Sequence, residues 1–291
     1  MKNVLLSGLV LSACTALAGC SGQSVLPTTT EAVAETAAAV IEAKPSSSME
    51  LALNGAWRSD AHKARDAERH PAETLAFFDV AADETVIELA PGGGWYTEVI
   101  APYLNAGGGT YIAATGGDAE RDAKFLEKFS DTDTFGEVNV GVLGGEGIAP
   151  GSADTVLTFR NLHNWMGDGG DSEVFANAFA ALKPGGVFGV IEHRLPASAE
   201  QDPNGRTGYV HQDYAIALGE EAGFELAGTS EINSNPKDTA DHPFGVWTLP
   251  PVSVTKDRSG ASPEGFDPAK YLAIGESDRF TLKFVKPAAS A

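Results

Sequence analysis

A short β-branched and apolar run at residues 84–89, centred on Thr85-Val86-Ile87, passes directly into Ala90-Pro91-Gly92-Gly93-Gly94 and then into a helical pattern with Val99, Ile100 and Leu104 on one face. Strand, glycine turn and helix in that order leave few folds open, because the chain must cross back over the sheet to continue it. The alternation repeats, with strands at 109–114, 137–142, 153–159 and 186–192 and helices at 119–129 and 172–182. Repeated βα units of this length predict an α/β fold with a mostly parallel sheet and helices on both faces. Farther on, a helix at 213–222 leads to a run at 224–232 that alternates as a half-buried strand, and 280–285 alternates likewise. Residues 233–279, rich in Pro, Gly, Asp and Ser, separate those two strands, and a connection that long in a compact domain is a functional loop or a mobile one.

Ahead of this domain the chain reads Met1-Lys2-Asn3, an apolar run from Val4 to Ala18, then Gly19-Cys20. A cationic start, a short apolar core and small residues before a cut describe a secretory signal peptide at 1–20. The run is too short for a stable bilayer-spanning helix. Leu17-Ala18-Gly19-Cys20 resembles the bacterial lipobox, which implies lipidation of Cys20, and Ser21 after it implies the periplasmic face of the outer membrane. Residues 21–48, Thr, Ala, Glu, Ser and Pro without an aromatic, predict a disordered tether, leaving 49–291 as the folded domain. Cleavage removes Cys14 and commits Cys20 to lipid, so cysteine nucleophiles, disulfides and thiolate metal sites are excluded. The formal charge of −20 argues against nucleic acid or anionic lipid as a partner and leaves a small molecule, with membrane contact through the lipid alone.

Three segments carry a family resemblance. Glu88-Leu89-Ala90-Pro91-Gly92-Gly93-Gly94 resembles motif I of class I S-adenosylmethionine (SAM) methyltransferases, in which glycines let the backbone approach the ligand. Ala153 to His163 sits where that family's fourth strand falls and ends in Arg160-Asn161-Leu162-His163, a run similar to that of quinone-biosynthetic C-methyltransferases. Leu182-Lys183-Pro184-Gly185-Gly186 resembles the family's turn into its fifth strand. More narrowly, Trp57-Arg58-Ser59-Asp60, Asn235-Pro236-Lys237-Asp238-Thr239 and Gly245-Val246-Trp247 resemble an exported bacterial set of methyltransferase-like proteins. The resemblance implies a Rossmann-like seven-stranded sheet, with 224–232 as the sixth strand and 280–285 as an antiparallel seventh beside the fifth. It also implies SAM contacts at Glu88, Ala90, Gly92, Gly94, Tyr96 and Thr97, at Asp118, and at Arg160 and Asn161. Two departures stand out: Ala90 replaces the first glycine of motif I, and the second strand lacks the acid that ordinarily ends it and holds the ribose hydroxyls. Asp118 lies three residues late and serves only if the Gly116-Gly117 turn folds back.

Ligands of open α/β sheets bind beyond the carboxyl ends of the strands, so the segments after strands one, two, four and five should converge. His163, directly after the fourth strand, is the first candidate for a base or acceptor-orienting group; the alternative is a histidine packed against Trp165. His193 and Arg194 follow the fifth strand as further catalytic candidates. Glu88 is more naturally a brace for the turn or ligand than a catalytic acid. Arg58, Asp60, Arg65, Asp66, Arg69 and His70 form either a solvated helix face or part of a lid, for which Arg58 and Asp60 are the lid residues. Within 233–279, Lys237, Asp238 and Trp247 are expected to fold over the pocket; for Trp247 the alternative is a satellite hydrophobic cluster. None of the six histidines forms a close ligand pair, so no metal site is expected. Three functions remain open: SAM-dependent methyl transfer to a small molecule, a lipid-anchored binding protein without catalysis, or SAM-independent lyase or hydrolase chemistry. The export signal weighs on the first, since SAM is made in the cytoplasm.

Overall fold

The structure, a computed structural model, describes residues 47–288. The expected signal peptide, the expected lipidation site Cys20 and nearly all of the expected tether lie outside the described residues; the helix Ser47–Asn54 opens the described part, just ahead of the expected domain start. Eight strands follow in chain order: β1 Thr85–Leu89, β2 Thr110–Thr115, β3 Asn139–Val142, β4 Ala153–Phe159, β5 Leu182–His193, β6 Glu225–Ser230, β7 Pro243–Val246 and β8 Arg279–Val285. Seven of them form one sheet in the order β3-β2-β1-β4-β5-β8-β6. β1 to β5 are mutually parallel, and β8 runs antiparallel between β5 and β6.

The strand burial explains the parallel arrangement. Val86, Ile87, Val156, Leu157, Phe188 and Val190 are all essentially inaccessible, as strands covered by helices on both faces must be. One apolar layer gathers Leu75, Phe78, Val99, Ile100, Leu104 and Phe129, and the opposite layer gathers Phe175, Phe188, Leu218, Phe224 and Phe284. Met49 and Ala52 of the first helix join the former layer. The expected strand at 137–142 begins only at Asn139, and the expected fifth strand starts earlier, at Leu182, so that Leu-Lys-Pro-Gly-Gly is itself part of β5. The segment 233–279 is structured in part, containing β7 and the helix Pro268–Leu272. Among the described residues no helix is long and apolar enough to cross a membrane.

Candidate functional site

The carboxyl ends of β1, β4 and β5 point to one edge of the sheet and open there into a cleft of about 470 Å³. Its floor is the glycine turn. Ala90 takes φ 46° and Gly92 φ 59°, a region where side chains are strained. A Cβ at Gly92 would meet nothing within 4 Å, so this residue leaves room for a ligand to approach the backbone. Gly94 is different: its Cβ would lie 2.4 Å from Phe129, and the space is already filled by protein. Lys128 closes the same flank by donating to the Gly93 carbonyl at 2.6 Å.

Beneath the turn, Glu88 is buried and its Oε2 accepts from the Tyr111 hydroxyl at 2.6 Å and the Thr97 hydroxyl at 2.9 Å. Burial raises its carboxyl to about 7, against the lowering effect of those two hydrogen bonds. Tyr96 is buried too, stacked on Phe159 with ring centroids 3.5 Å apart. Glu88, Tyr96 and Thr97 therefore brace the turn, and none of them lines the cleft.

The walls are cationic. Arg65, Arg69 and Arg160 all line the cleft. Glu276 serves three guanidinium groups, accepting from Arg65 at 2.7 Å, Arg69 at 2.9 Å and Arg279 at 3.1 Å. Burial alone would raise the Glu276 carboxyl, but Arg69, Arg279 and Arg65 together hold it down at about 2. Arg160, in left-handed backbone at φ 63°, has no side-chain hydrogen bond or ion pair among the described residues; its Nη1 is buried without a partner, as is Nη2 of Arg65. Burial, and after it the nearby Arg279 charge, lowers the Arg160 pKa, and burial with the Arg160 charge lowers that of Arg69. In a chain of net charge −20, this edge gathers Arg65, Arg69, Arg160 and Arg279 around the one carboxylate of Glu276. Paired and unpaired guanidinium forks at the mouth of a cleft suit a carboxylate or phosphate.

Deeper in, the end of β5 meets the start of the helix Leu162–Asp168. Glu192 is fully buried and accepts the backbone N–H of His163 at 3.2 Å and of His193 at 2.8 Å. His163 Nδ1 lies 3.2 Å from Glu192 Oε2, yet it is buried without a hydrogen bond. His193 Nδ1 is 2.5 Å from the Ser277 hydroxyl, and its imidazole pKa is driven well below the ordinary value by burial and then by the His163 and Arg160 charges. The two imidazole rings are 5.6 Å apart, and Trp247 sits edge-on to His163 at 5.9 Å.

Of the residues expected from sequence, Ala90, Gly92, Arg160, Asn161, His163, His193 and Trp247 meet in this cleft. Asn161 ties the end of β4 to the turn by donating to the Leu89 carbonyl at 3.2 Å. Trp247 meets both descriptions given for it, lining the cleft while packing on the small cluster of Leu195, Tyr209 and Val246. The others are placed elsewhere. Asp118 does not turn back to the cleft; exposed, it caps the helix Ala119–Lys128 by accepting from the Arg121 N–H at 2.9 Å. Arg194 faces away and pairs with Glu231 at 2.6 Å and Asp278 at 3.3 Å. Asp238 is buried and ties Tyr209 and His242 together, accepting from the Tyr209 hydroxyl at 2.9 Å with His242 Nε2 at 2.7 Å, while Lys237 is exposed. Arg58 is buried in a fork on Asp66 at 2.6 and 2.8 Å, and Asp60 is exposed, and neither lines the cleft. The solvated-face reading of Arg65 and Arg69 is also corrected: Arg69 is 3% exposed, over the Trp95 ring at 4.6 Å. Arg65, Arg69, Glu192 and Glu276 are the site residues that sequence reasoning left without a role there. For the two arginines, their i, i+4 spacing in so acidic a chain was the available signal.

No protein-family model matches the chain, and no curated protein sequence matches it. Solved structures do. A SAM-dependent methyltransferase from Aquifex aeolicus shares 14% identity, with 77% of this chain and 93% of that one covered and a TM-score of 0.50. The [4+2]-cyclase SpnF shares 15% identity over 76% of this chain and 81% of its own, with a TM-score of 0.53. At such identities the likeness is one of fold: the chain has the Rossmann-like fold of class I SAM-dependent methyltransferases. That a cyclase shares it means that function must be argued from the site.

The cleft matches SAM at one end only. The open approach at Gly92 suits the cofactor, but the ribose end does not fit. No residue of β2 or of 116–118 lines the cleft, Asp118, the one acid there, is exposed and caps a helix, and Phe129 occupies the space over Gly94.

Proposed function

We propose that this cleft binds a small molecule carrying a carboxylate or phosphate group, and that such an anion, held between the glycine turn and Arg65, Arg69 and Arg160, is what the methyltransferase fold accommodates in this chain. The observation that carries the reading is Arg160, a cation with a buried, unpartnered Nη1 held in strained backbone at the end of β4. Strain and unsatisfied polar groups persist where a ligand rewards them. His163 and His193 face the rest of the bound molecule as its proton-exchanging or coordinating groups. The export signal belongs to the same reading, because a domain held outside the cytoplasm has no supply of SAM.

A second reading, SAM-dependent methyl transfer, is favoured by the open backbone at Gly92. Native mass spectrometry of the protein purified from its own cells separates the two. The expected result is a retained anionic small molecule that is lost in Arg160→Ala, with the variant melting no lower than the parent. Retention of SAM or its demethylated product, or retention indifferent to Arg160→Ala, overturns the proposal.

A further inference from the structure

His163, Glu192 and His193 are the one group of potential ligands among the described residues that comes together as a cation site would require. One donor atom from each lies within 4.8 Å of the others. His163 Nδ1 is 3.2 Å from Glu192 Oε2, and His193 Nε2 is 4.0 Å from Glu192 Oε1. A metal ion with bonds of about 2.1 Å holds its donors roughly 3–4 Å apart. The spacing thus suits a single ion without rearrangement of the backbone.

Three further observations point the same way. His163 is 7% exposed, and its Nδ1 has no hydrogen bond despite the carboxylate beside it, so the nitrogen has a neighbour but no partner. Glu192 is inaccessible and accepts only two backbone N–H groups, leaving lone pairs on both oxygens turned toward the imidazoles. On His193 the far nitrogen, Nδ1, is occupied by the Ser277 hydroxyl, which fixes the ring and leaves Nε2 as the free donor, as the outer partners of metal-bound histidines do. Both rings line the cleft, so an ion there keeps open positions toward a bound molecule.

We propose that His163 Nδ1, Glu192 and His193 Nε2 form a site for one divalent transition-metal ion in the inner end of the cleft. Two imidazoles and a carboxylate are a donor set for zinc, cobalt, manganese or iron and a poor one for calcium or magnesium. The site is not a consequence of the anion reading, although the two fit together: an anion reaching both the ion and Arg160 would offset the repulsion between them. In the sequence no ligand spacing marks these three residues, since Glu192 and His193 are adjacent and His163 lies on another strand's exit, although the fold brings those two exits together.

Titration of the purified protein with Co²⁺ tests this, since a bound ion gives visible absorption that reports its ligands. One equivalent per chain should bind with bands showing nitrogen coordination, and Zn²⁺ should displace it. His193→Ala and Glu192→Gln should each weaken binding at least about tenfold. Arg160→Gln should tighten it several-fold, a change in the opposite direction that misfolding would not produce. Absence of the bands, or the same affinity in the parent and in folded His193→Ala, refutes the site. If Glu192→Gln proves unstable by circular dichroism, His193→Ala and Arg160→Gln still decide. The anion reading is tested separately by Arg160→Ala, so either proposal can fail alone.

Discussion

The two halves of one sheet edge differ sharply. Beyond β4 and β5 lie a buried acid, two histidines and several arginines, around a cleft whose backbone is strained at Ala90 and Arg160. Beyond β2, residues 115–118 are half-buried or exposed, and Asp118, the one acid there, is spent on a helix cap. Their carboxyl groups tell the same story: Glu276 on the cleft side is held ionised at about 2, while Glu88, bonded to Tyr111 of β2, is raised to about 7 by burial. The difference teaches that a glycine turn of this fold does not by itself fix where the polar groups gather: here they lie beyond β4 and β5 and not beyond β2.

The largest expected effect comes from removing the single carboxylate that three arginines share. Glu276→Gln leaves buried cations without a partner and should cost about 3–5 kcal/mol in denaturant unfolding. Because the folded Glu276 carboxyl is depressed, its contribution is fully present above the ordinary value of 4.5 and is lost as pH falls toward 2. A loss below about 1 kcal/mol would mean that the cleft is less charged than its geometry indicates.

Glu88 should show the opposite slope. Its folded pKa is raised, so the native state binds the extra proton and stability declines as pH rises from 4.5 to about 7. The decline attributable to this group is on the order of 3 kcal/mol at most. Glu88→Gln keeps an acceptor for Tyr111 and Thr97 and should flatten stability across that window, as measured by unfolding at several pH values. An unchanged slope would show that Glu88 titrates normally.

Smaller still is the contrast between two glycines of the same turn. Gly94→Ala drives a Cβ into Phe129 and should cost roughly 1–3 kcal/mol, with ligand retention falling only as the fold does. Gly92→Ala meets no protein atom within 4 Å and should cost about 1 kcal/mol from its left-handed backbone, while weakening ligand retention directly. Equal effects on both properties would erase the distinction between the two flanks of the turn.

The sheet was legible in the sequence because burial on both faces writes continuous apolar strands, and because βα alternation admits few topologies; even the insertion of β8 beside β5 followed from the resemblance. The cleft was legible where its residues sit at strand ends, as Arg160, His163 and His193 do. It was illegible where it depends on distant partners. Arg65 and Glu276 are separated by 211 positions, and no local pattern reveals that pairing. Asp118 shows the converse error, since its nearness to the expected ribose acid said nothing of the helix N-terminus that claims it. Asp238 was assigned to the lid for its neighbours in sequence, whereas its partners are Tyr209 and His242.

The proposed placement of the ligand away from β2 is tested most directly by isothermal titration of the purified protein with SAM and with S-adenosylhomocysteine. Without a carboxylate for the ribose hydroxyls, a charge-assisted pair of hydrogen bonds is absent, worth about 1.5–3 kcal/mol or roughly ten- to a hundredfold in affinity. The expected result is dissociation constants on the order of tens of micromolar or weaker for both, unaffected by Asp118→Ala. Submicromolar binding of either one, abolished by Asp118→Ala, would contradict it and return the cofactor to the β2 side of the turn.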